Sequence, residues 1–509
     1  MVRRACDKLL VTHEGALTRK YSAAGLRRVR DALEALAAAD AERGVSTRVL
    51  VVDNASTARS LGVPRVPDRD WAAAVRAVDR AAAAYEPAYV ALVGADDVLP
   101  QGRVTNPLQG IGEDLDPYLP SDLPYACDLP DEWAGTSDDL LDIAMLLSVT
   151  RVVGRVPDEV GASDPALLLA LLGTASHYEQ RPATDYQSVF ALSAAVWADS
   201  TGTSVDLLPG PAPKTRLSPP GHSGWTPDQL QGLSHFVNCH GGDVMADWFG
   251  QRDATAPVDV VAMAPEDVDG HVREGTVVVA ECCYGAQHVG PSDLGGRMPM
   301  LWAYLRSGAY AALGSSTTAY GPASGNGQAD LLCRFVLEGV MTGASSGRAL
   351  LDARQRYLRE VGAMGPEDLK TLGQFDLLGD PSVQPVAVPG RAQASAGSRS
   401  AGSKSAGQAP GLAQRRAVLR ATGRALASSV PRAGSAHRAR TVDAPTLASE
   451  AGLPSSAGVG TVVTFDEHRE APRGGYRFHV APVHRDGRAG LLVSRETGGE
   501  RRTSMVWRK

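Results

Sequence analysis

A chain of 509 residues is too long for one hydrophobic core and implies two or three domains. Its composition, 43% apolar and 21% charged, is that of an ordinary globular protein, and a net charge of −6 gives no general affinity for nucleic acid or anionic membrane. Six cysteines are too few for a disulfide scaffold, no pair has the Cys-x-x-Cys spacing, and no run of about eighteen apolar residues occurs. The N-terminus, Met1-Val-Arg-Arg-Ala-Cys, lacks the apolar segment of a secretion signal, so a reducing, cytoplasmic setting is expected.

The chain opens as alternating strands and helices. Residues 8–13 read as a strand, 23–41 repeat apolar positions at helical spacing, 47–52 are a second strand, 69–84 an Ala-rich helix, and 88–93 a third strand ending at Asp96-Asp97. Such alternation argues for right-handed crossovers and a parallel sheet. Residues 101–150 are loop-rich, and Val152-Val-Gly-Arg-Val-Pro157 closes a first subdomain. A short helix follows at 163–172. A helix is expected from Ala183 to Val196 with Asp185 as its cap, then a strand near 204–208. Residues 297–306 read as a crossover helix, 307–316 as a strand, and 328–361 as two helices.

From Arg391 the composition changes. Between Arg391 and Arg440 there are ten Lys or Arg and no Asp or Glu, a pattern read as a solvated linker rather than a nucleic-acid binder. Residues 412–429 have the pattern of a basic helix. The tail alternates apolar and polar residues, with Asp486-Gly487 as a hairpin signal. The expected fold is α/β, with parallel sheets flanked by helices in two subdomains, 1–160 and 161–388. A flexible linker, 389–412, and a small C-terminal α+β or β-meander module, 413–509, follow.

Two stretches carry the chemistry. Gly275-Thr-Val-Val-Val-Ala-Glu-Cys-Cys-Tyr-Gly285 is a β-branched strand running into a thiol pair and a glycine. Leu233-Ser-His-Phe-Val-Asn-Cys-His-Gly-Gly242 is a second strand ending on His240 and two glycines. Neighbouring strands that deliver these ends to one sheet edge form a cysteine–histidine dyad: a thiol nucleophile, a histidine to manage its proton, and N–H groups for the oxyanion. Side chains alternate on a strand, so Cys282 and Cys283 face opposite ways. Cys283, two residues before Gly285, is assigned as nucleophile and His240 as acid/base. The N–H groups of Gly241 and Cys283 are the expected oxyanion donors, and Cys282 and Cys239 are core thiols. A zinc set of Cys239, His240, Cys282 and Cys283 is disfavoured because adjacent ligands point to opposite faces.

At these residues the sequence resembles the gingipain-like cysteine peptidases of the caspase-like clan, whose pattern is an apolar strand ending His-Gly and another ending in an acidic or amide residue, any residue, then cysteine. Glu281-Cys282-Cys283 registers on it. Further similar stretches, in the family's order, are Tyr89 to Pro100, Ser121-Asp-Leu-Pro-Tyr125, Val153-Gly-Arg-Val-Pro157, Gly308 to Ser316 and Leu378-Gly-Asp-Pro-Ser382. The resemblance implies a caspase-like two-subdomain catalytic unit and an endopeptidase acting through a thioester with no cofactor. It also implies a basic residue before the scissile bond, held by an acid at the position of Asp185 (read from the residues alone as a plain helix cap). Ser315, Ser316, Thr317 and Tyr320 resemble the wall of the same pocket.

The expected function is a cysteine endopeptidase with a protein or peptide substrate, regulated by self-cleavage in the Arg391–Arg440 stretch or by an activating protein partner. No membrane or nucleic-acid partner is expected. The alternative is a catalytically silent scaffold that binds another protein.

Overall fold

The computed structural model describes residues 5–388, except 113, 130–132, 134, 148, 221–223 and 362–363, and a set of strands between 436 and 507. The expected linker, 389–412, and basic helix, 412–429, lie outside the described residues.

One continuous ten-stranded sheet organises residues 5–388. Its strands in chain order are β1 (Lys8–Thr12), β2 (Thr47–Val51), β3 (Tyr89–Val93), β4 (Val152–Val156), β5 (Val189–Ala194), β6 (Arg216–Ser218), β7 (Ser234–Asn238), β8 (Val277–Ala280), β9 (Ala311–Ser315) and β10 (Phe375–Leu378). Across the sheet they run β2-β1-β3-β4-β10-β9-β8-β7-β5-β6. Every neighbouring pair is parallel except β9 and β10. The separate subdomain sheets expected from the sequence are thus two parallel blocks fused at one antiparallel seam. The chain's last strand in this unit, β10, returns to join the N-terminal block. At the seam the fully buried Arg155 donates to Asp122 Oδ2 at 2.9 Å and to the carbonyls of Gly94 and Leu99.

Helices cover both faces, as the buried, Val-rich strands require. On one face α1 (Glu14–Glu42), α3 (Ala166–His177) and α5 (Met300–Arg306) pack with Val278 and Ala280. On the other face, α4 (Ala198–Asp206), α6 (Gln328–Met341) and α7 (Ser346–Glu360) pack with Val277 and Val279. Helix α2 (Trp71–Tyr85) lies over the N-terminal block, its first turn capped by Asp70, which accepts the Ala73 N–H at 2.8 Å. Helix α8 (Pro366–Gln374) leads into β10.

Two local expectations are corrected. The helix read over 183–196 is one turn, Ala183–Tyr186, followed by β5. The strand read near 204–208 is the end of α4. Alanines made 189–196 resemble a helix, but pairing with β7 and burial decide it as strand. In the C-terminal module, strands Ala436–Val442, Val462–His468, Tyr476–Arg485, Arg488–Thr497 and Glu500–Trp507 pair antiparallel in sequence order. Arg485 pairs with Arg488 around the hairpin signal. No helix among the described residues is long and apolar enough to cross a membrane.

Candidate active site

The central strands β8 and β7 run parallel, with Val277 opposite Ser234 and Ala280 opposite Val237. The Glu281 N–H continues the ladder to the Val237 carbonyl at 2.8 Å. Cys283 and His240 each follow within three residues of the end of these strands, so both lie at the carboxyl ends of adjacent strands. Cys239 and Cys282 are fully buried, and both pack in the core on the α5 face. Burial pushes both of their thiols up, which leaves them inert.

Cys283 is half-buried. Its Sγ accepts from the Ala319 N–H at 3.3 Å and donates to the Ala319 carbonyl at 3.7 Å. Burial pushes the thiol up, against the lowering pull of Ala319, the Lys370 ammonium, and the N–H groups of Gly241 and of Cys283 itself. Of these donors, the Ala319 N–H makes the hydrogen bond to the sulfur. The next residue, Tyr284, has φ 56, a left-handed conformation unfavourable for a bulky side chain. Its N–H donates to the Thr317 carbonyl at 3.0 Å, which ties the nucleophile turn to the loop after β9.

His240 bridges backbone to backbone with Phe249, through hydrogen bonds of 2.9 and 2.8 Å. Its ring packs on Trp197 with centroids 4.3 Å apart. Nε2 meets Gln251 Oε1 at 2.8 Å, and the Gln251 amide nitrogen donates to the Ala256 carbonyl at 2.8 Å. The second bond orients the amide, so its oxygen accepts from Nε2–H and Nδ1 is left as the basic nitrogen. Burial lowers the His240 pKa and Gln251 opposes it. The imidazole is neutral at rest, as a base must be. No hydrogen bond joins it to the Cys283 thiol, which is engaged by Ala319.

Gly241 fits against the Cys283 backbone so closely that an added Cβ would lie 2.0 Å from the Cys283 carbonyl oxygen. Gly241→Ala is expected to force the strand ends apart. The expected loss is about 10²–10³-fold in kcat, the scale of removing an oxyanion donor, with a destabilisation of about 1–3 kcal/mol. Turnover and a thermal melt of the variant check both.

The loop after β9 reaches Cys283 through Ala319, but the expected pocket-wall hydroxyls are used internally. Ser315 donates to the Thr317 carbonyl at 2.7 Å, Ser316 to the Pro120 carbonyl at 2.6 Å, and Thr317 to Gln374 Oε1 at 2.5 Å. The Tyr320 hydroxyl donates to Asp114 Oδ2 at 2.8 Å. Asp185 is not part of this group. It precedes β5, beside Tyr186, whose hydroxyl donates to the Gly275 carbonyl at 2.8 Å at the amino end of β8. That is the opposite sheet edge, roughly 25 Å along the strand from Cys283. The one-turn helix brings Asp185 to the amino end of β5 rather than to the dyad.

Two buried ionisable groups at the site, Lys370 and the motif residue Glu281, have partners that the sequence does not reveal. Lys370 of α8 is fully buried between Asp114 and Asp116. Asp116 accepts the Tyr284 hydroxyl at 2.7 Å and the Thr318 N–H at 3.0 Å. The cluster therefore ties down both segments that flank the nucleophile. Glu281, two residues before Cys283, is buried and paired with the buried Asp330 of α6. Burial pushes Glu281 well above the usual carboxylate range, with the Asp330 charge adding to it. Burial also raises Asp330, to about 6, against hydrogen bonds from Glu281, the Gly327 N–H and Ser200. Glu281 Oε1, Asp330 Oδ1 and Asn326 Oδ1 are buried with no hydrogen-bond partner.

The fold is α/β, with a large, mostly parallel sheet flanked by helices. No protein-family model matches the chain, and no curated protein matches it. Among solved structures, the Saccharomyces cerevisiae separase–securin complex is similar over 46% of this chain and 14% of that one, at 12% identity and a TM-score of 0.28. That likeness is too slight to carry fold or function from one protein to the other.

Proposed function

We propose that the protein is a cysteine endopeptidase in which Cys283 attacks a peptide carbonyl and His240 carries the proton. The observation that supports this most is a half-buried thiol just past the carboxyl end of β8, held by the Ala319 N–H, while the adjacent strand β7 ends at a histidine held in a defined tautomer. Since the thiol is raised and the imidazole lowered, the pair rests neutral. Nδ1 takes the thiol proton as sulfur attacks, the Gly241 and Cys283 N–H groups hold the oxyanion, and His240 returns the proton to the departing amine. Water then hydrolyses the thioester. Before attack the thiol must leave the Ala319 carbonyl, a change that substrate or an activating protein partner supplies.

The substrate residue before the scissile bond is read as Arg or Lys, now through Glu281 and Asp330 rather than Asp185. Side chains two apart on a strand share a face, so the Glu281 carboxyl lies below the nucleophile. Buried acceptor oxygens without donors are costly and suit a cationic side chain. Glu281→Gln is expected to lower kcat/KM for Arg and Lys substrates about a hundredfold, the scale of losing one partner of a buried charge pair. The same change stabilises the free protein. A carboxyl raised in the folded state costs stability as pH climbs from its unfolded value to its folded one. The variant therefore gains stability progressively as pH rises above about 4, and nothing below it. Wild-type cleavage after basic residues falls below about pH 6 as Asp330 protonates. Urea melts across pH and a cleavage-site profile test this; unchanged specificity in the variant sinks the assignment.

The scaffold reading is favoured by one observation, the thiol's bond to Ala319 in place of His240. Incubation of the protein with a pooled peptide library separates the two readings: cleavage supports the peptidase, and binding without cleavage supports the scaffold.

A further inference from the structure

Between the loop after β3 and the segment that follows Cys283 lies a cavity of about 280 Å³ that the mechanism does not use. Its rim carries Arg69 and Arg103, both exposed, and neither makes an ion pair among the described residues. Arg103 stands over the Tyr118 ring, 5.2 Å from its centroid, and Tyr118 and Trp71 form apolar walls. Arg69 is held at φ 56, a conformation that side chains other than glycine, Asn and Asp adopt rarely.

Deeper in the cavity is His288. Its Nδ1 accepts the Asp96 N–H at 3.0 Å, so the ring hydrogen is on Nε2. That Nε2–H is buried and has no acceptor. Burial holds the ring neutral, so this single donor is fixed in place and unused. The acid in the lining, Asp96, is turned to the Gln101 N–H at 2.8 Å, and burial pushes it toward its neutral form. The net offer at the rim is two guanidinium groups without ion pairs beside aromatic walls, which is the chemistry of a carboxylate site.

Its position relates it to Cys283. Ser316 lines the cavity and lies three residues from Ala319, which touches the thiol. Gln287, also in the lining, is four residues beyond Cys283 and donates to Asp243 in the loop after His240 at 2.6 Å. Chain reach puts these walls within about 14 Å of the sulfur, a span that roughly four residues of extended peptide cover.

We infer that this cavity is a second substrate subsite, which takes an Asp or Glu side chain of the peptide bound at Cys283, its carboxylate paired with Arg69 and Arg103 at the rim. The inference rests on the peptidase reading and adds a partner chemistry to it: a peptide basic at the scissile bond and acidic a few residues away.

The test uses full-length protein carrying Cys283→Ala, so that peptides bind without turnover. Fluorescent peptides sharing one Arg-containing core, with Glu or Gln placed two to five residues to either side, are titrated by anisotropy at low salt. At one of these placements the Glu peptide is expected to bind at least about tenfold tighter than its Gln counterpart, a preference that shrinks as salt rises. Arg69→Glu with Arg103→Glu is expected to remove it, and both positions are exposed, so a thermal melt should be unchanged. Equal binding of Glu and Gln peptides at every placement overturns the inference, as does an acidic preference that survives the double charge reversal. Wild-type turnover is read in parallel. Cleavage with no acidic preference defeats the subsite alone. An acidic preference in binding with no cleavage by any form defeats the peptidase reading and leaves the cavity as a peptide-binding site.

Discussion

Cys283→Ala is expected to abolish peptide cleavage, by at least about 10⁴-fold in kcat, because removing a covalent nucleophile leaves only binding and oxyanion stabilisation. Cys282→Ala, one residue away, is expected to keep most of it. The physical difference is exposure: the Cys283 thiol is half-buried and meets the loop after β9, while Cys282 packs in the core and is fully buried. Cys282→Ala removes one buried sulfur from the packing, a cost of about 1–2 kcal/mol with little effect on kcat. Both variants are measured against the same peptide pool, with an irreversible thiol reagent as second readout. Alkylation of wild type that is lost in Cys283→Ala and kept in Cys282→Ala identifies the reactive thiol even where turnover is slow. Equal activity in wild type and Cys283→Ala rules out the dyad.

Lys370→Met is expected to have the largest effect on stability. The ammonium is fully buried with Asp114 and Asp116, and its removal leaves two carboxylates in the interior without their cation. Breaking a buried ion pair from one side costs about 3–5 kcal/mol. Against the cost of burial, hydrogen bonds from Lys370, Tyr320 and Asn106 hold the Asp114 carboxyl below its ordinary value. A depressed carboxyl contributes stability above its unfolded pKa and loses it on acidification, so the wild-type protein should weaken below about pH 4 through this group. Asp116 also holds Tyr284 and Thr318, so the folded fraction of Lys370→Met should have a lowered kcat, with the nucleophile turn loosened. Adding Asp114→Asn and Asp116→Asn should restore most of the stability and less of the activity. Urea melts and single-turnover cleavage check the two effects separately. A cost under about 1 kcal/mol for Lys370→Met would falsify the clamp.

The same contrast shows what was legible in the sequence. The strand–helix alternation at the start of the chain and the Val277–Val279 strand are local patterns, and local patterns survive in sequence. The His-Gly and Cys-x-Gly ends are likewise local, and parallel pairing of β7 and β8 sets them at the carboxyl ends of adjacent strands. The segment 189–196 was misread because its alanines fit either state, and burial between β7 and β6 decides for strand. Asp185 was assigned to the substrate pocket by the family resemblance, which matches it by its order along the chain, ahead of the His-Gly strand. Order does not say which edge of a sheet a residue occupies; the direction of β5 does.

What the sequence by itself determined is the alternating α/β character, the two strand ends that carry Cys283 and His240, and the burial of Cys282 in the core, since each follows from neighbours within a few residues. The tertiary structure alone decided the antiparallel seam that fuses two blocks into one sheet. It also decided Gln251 as the partner of His240, the Lys370 clamp from residues more than 250 positions from Asp114 and Asp116, and the carboxyl pair of Glu281 with Asp330. These contacts join segments distant in the chain, and their energies come from burial and charge pairing, which no local pattern records.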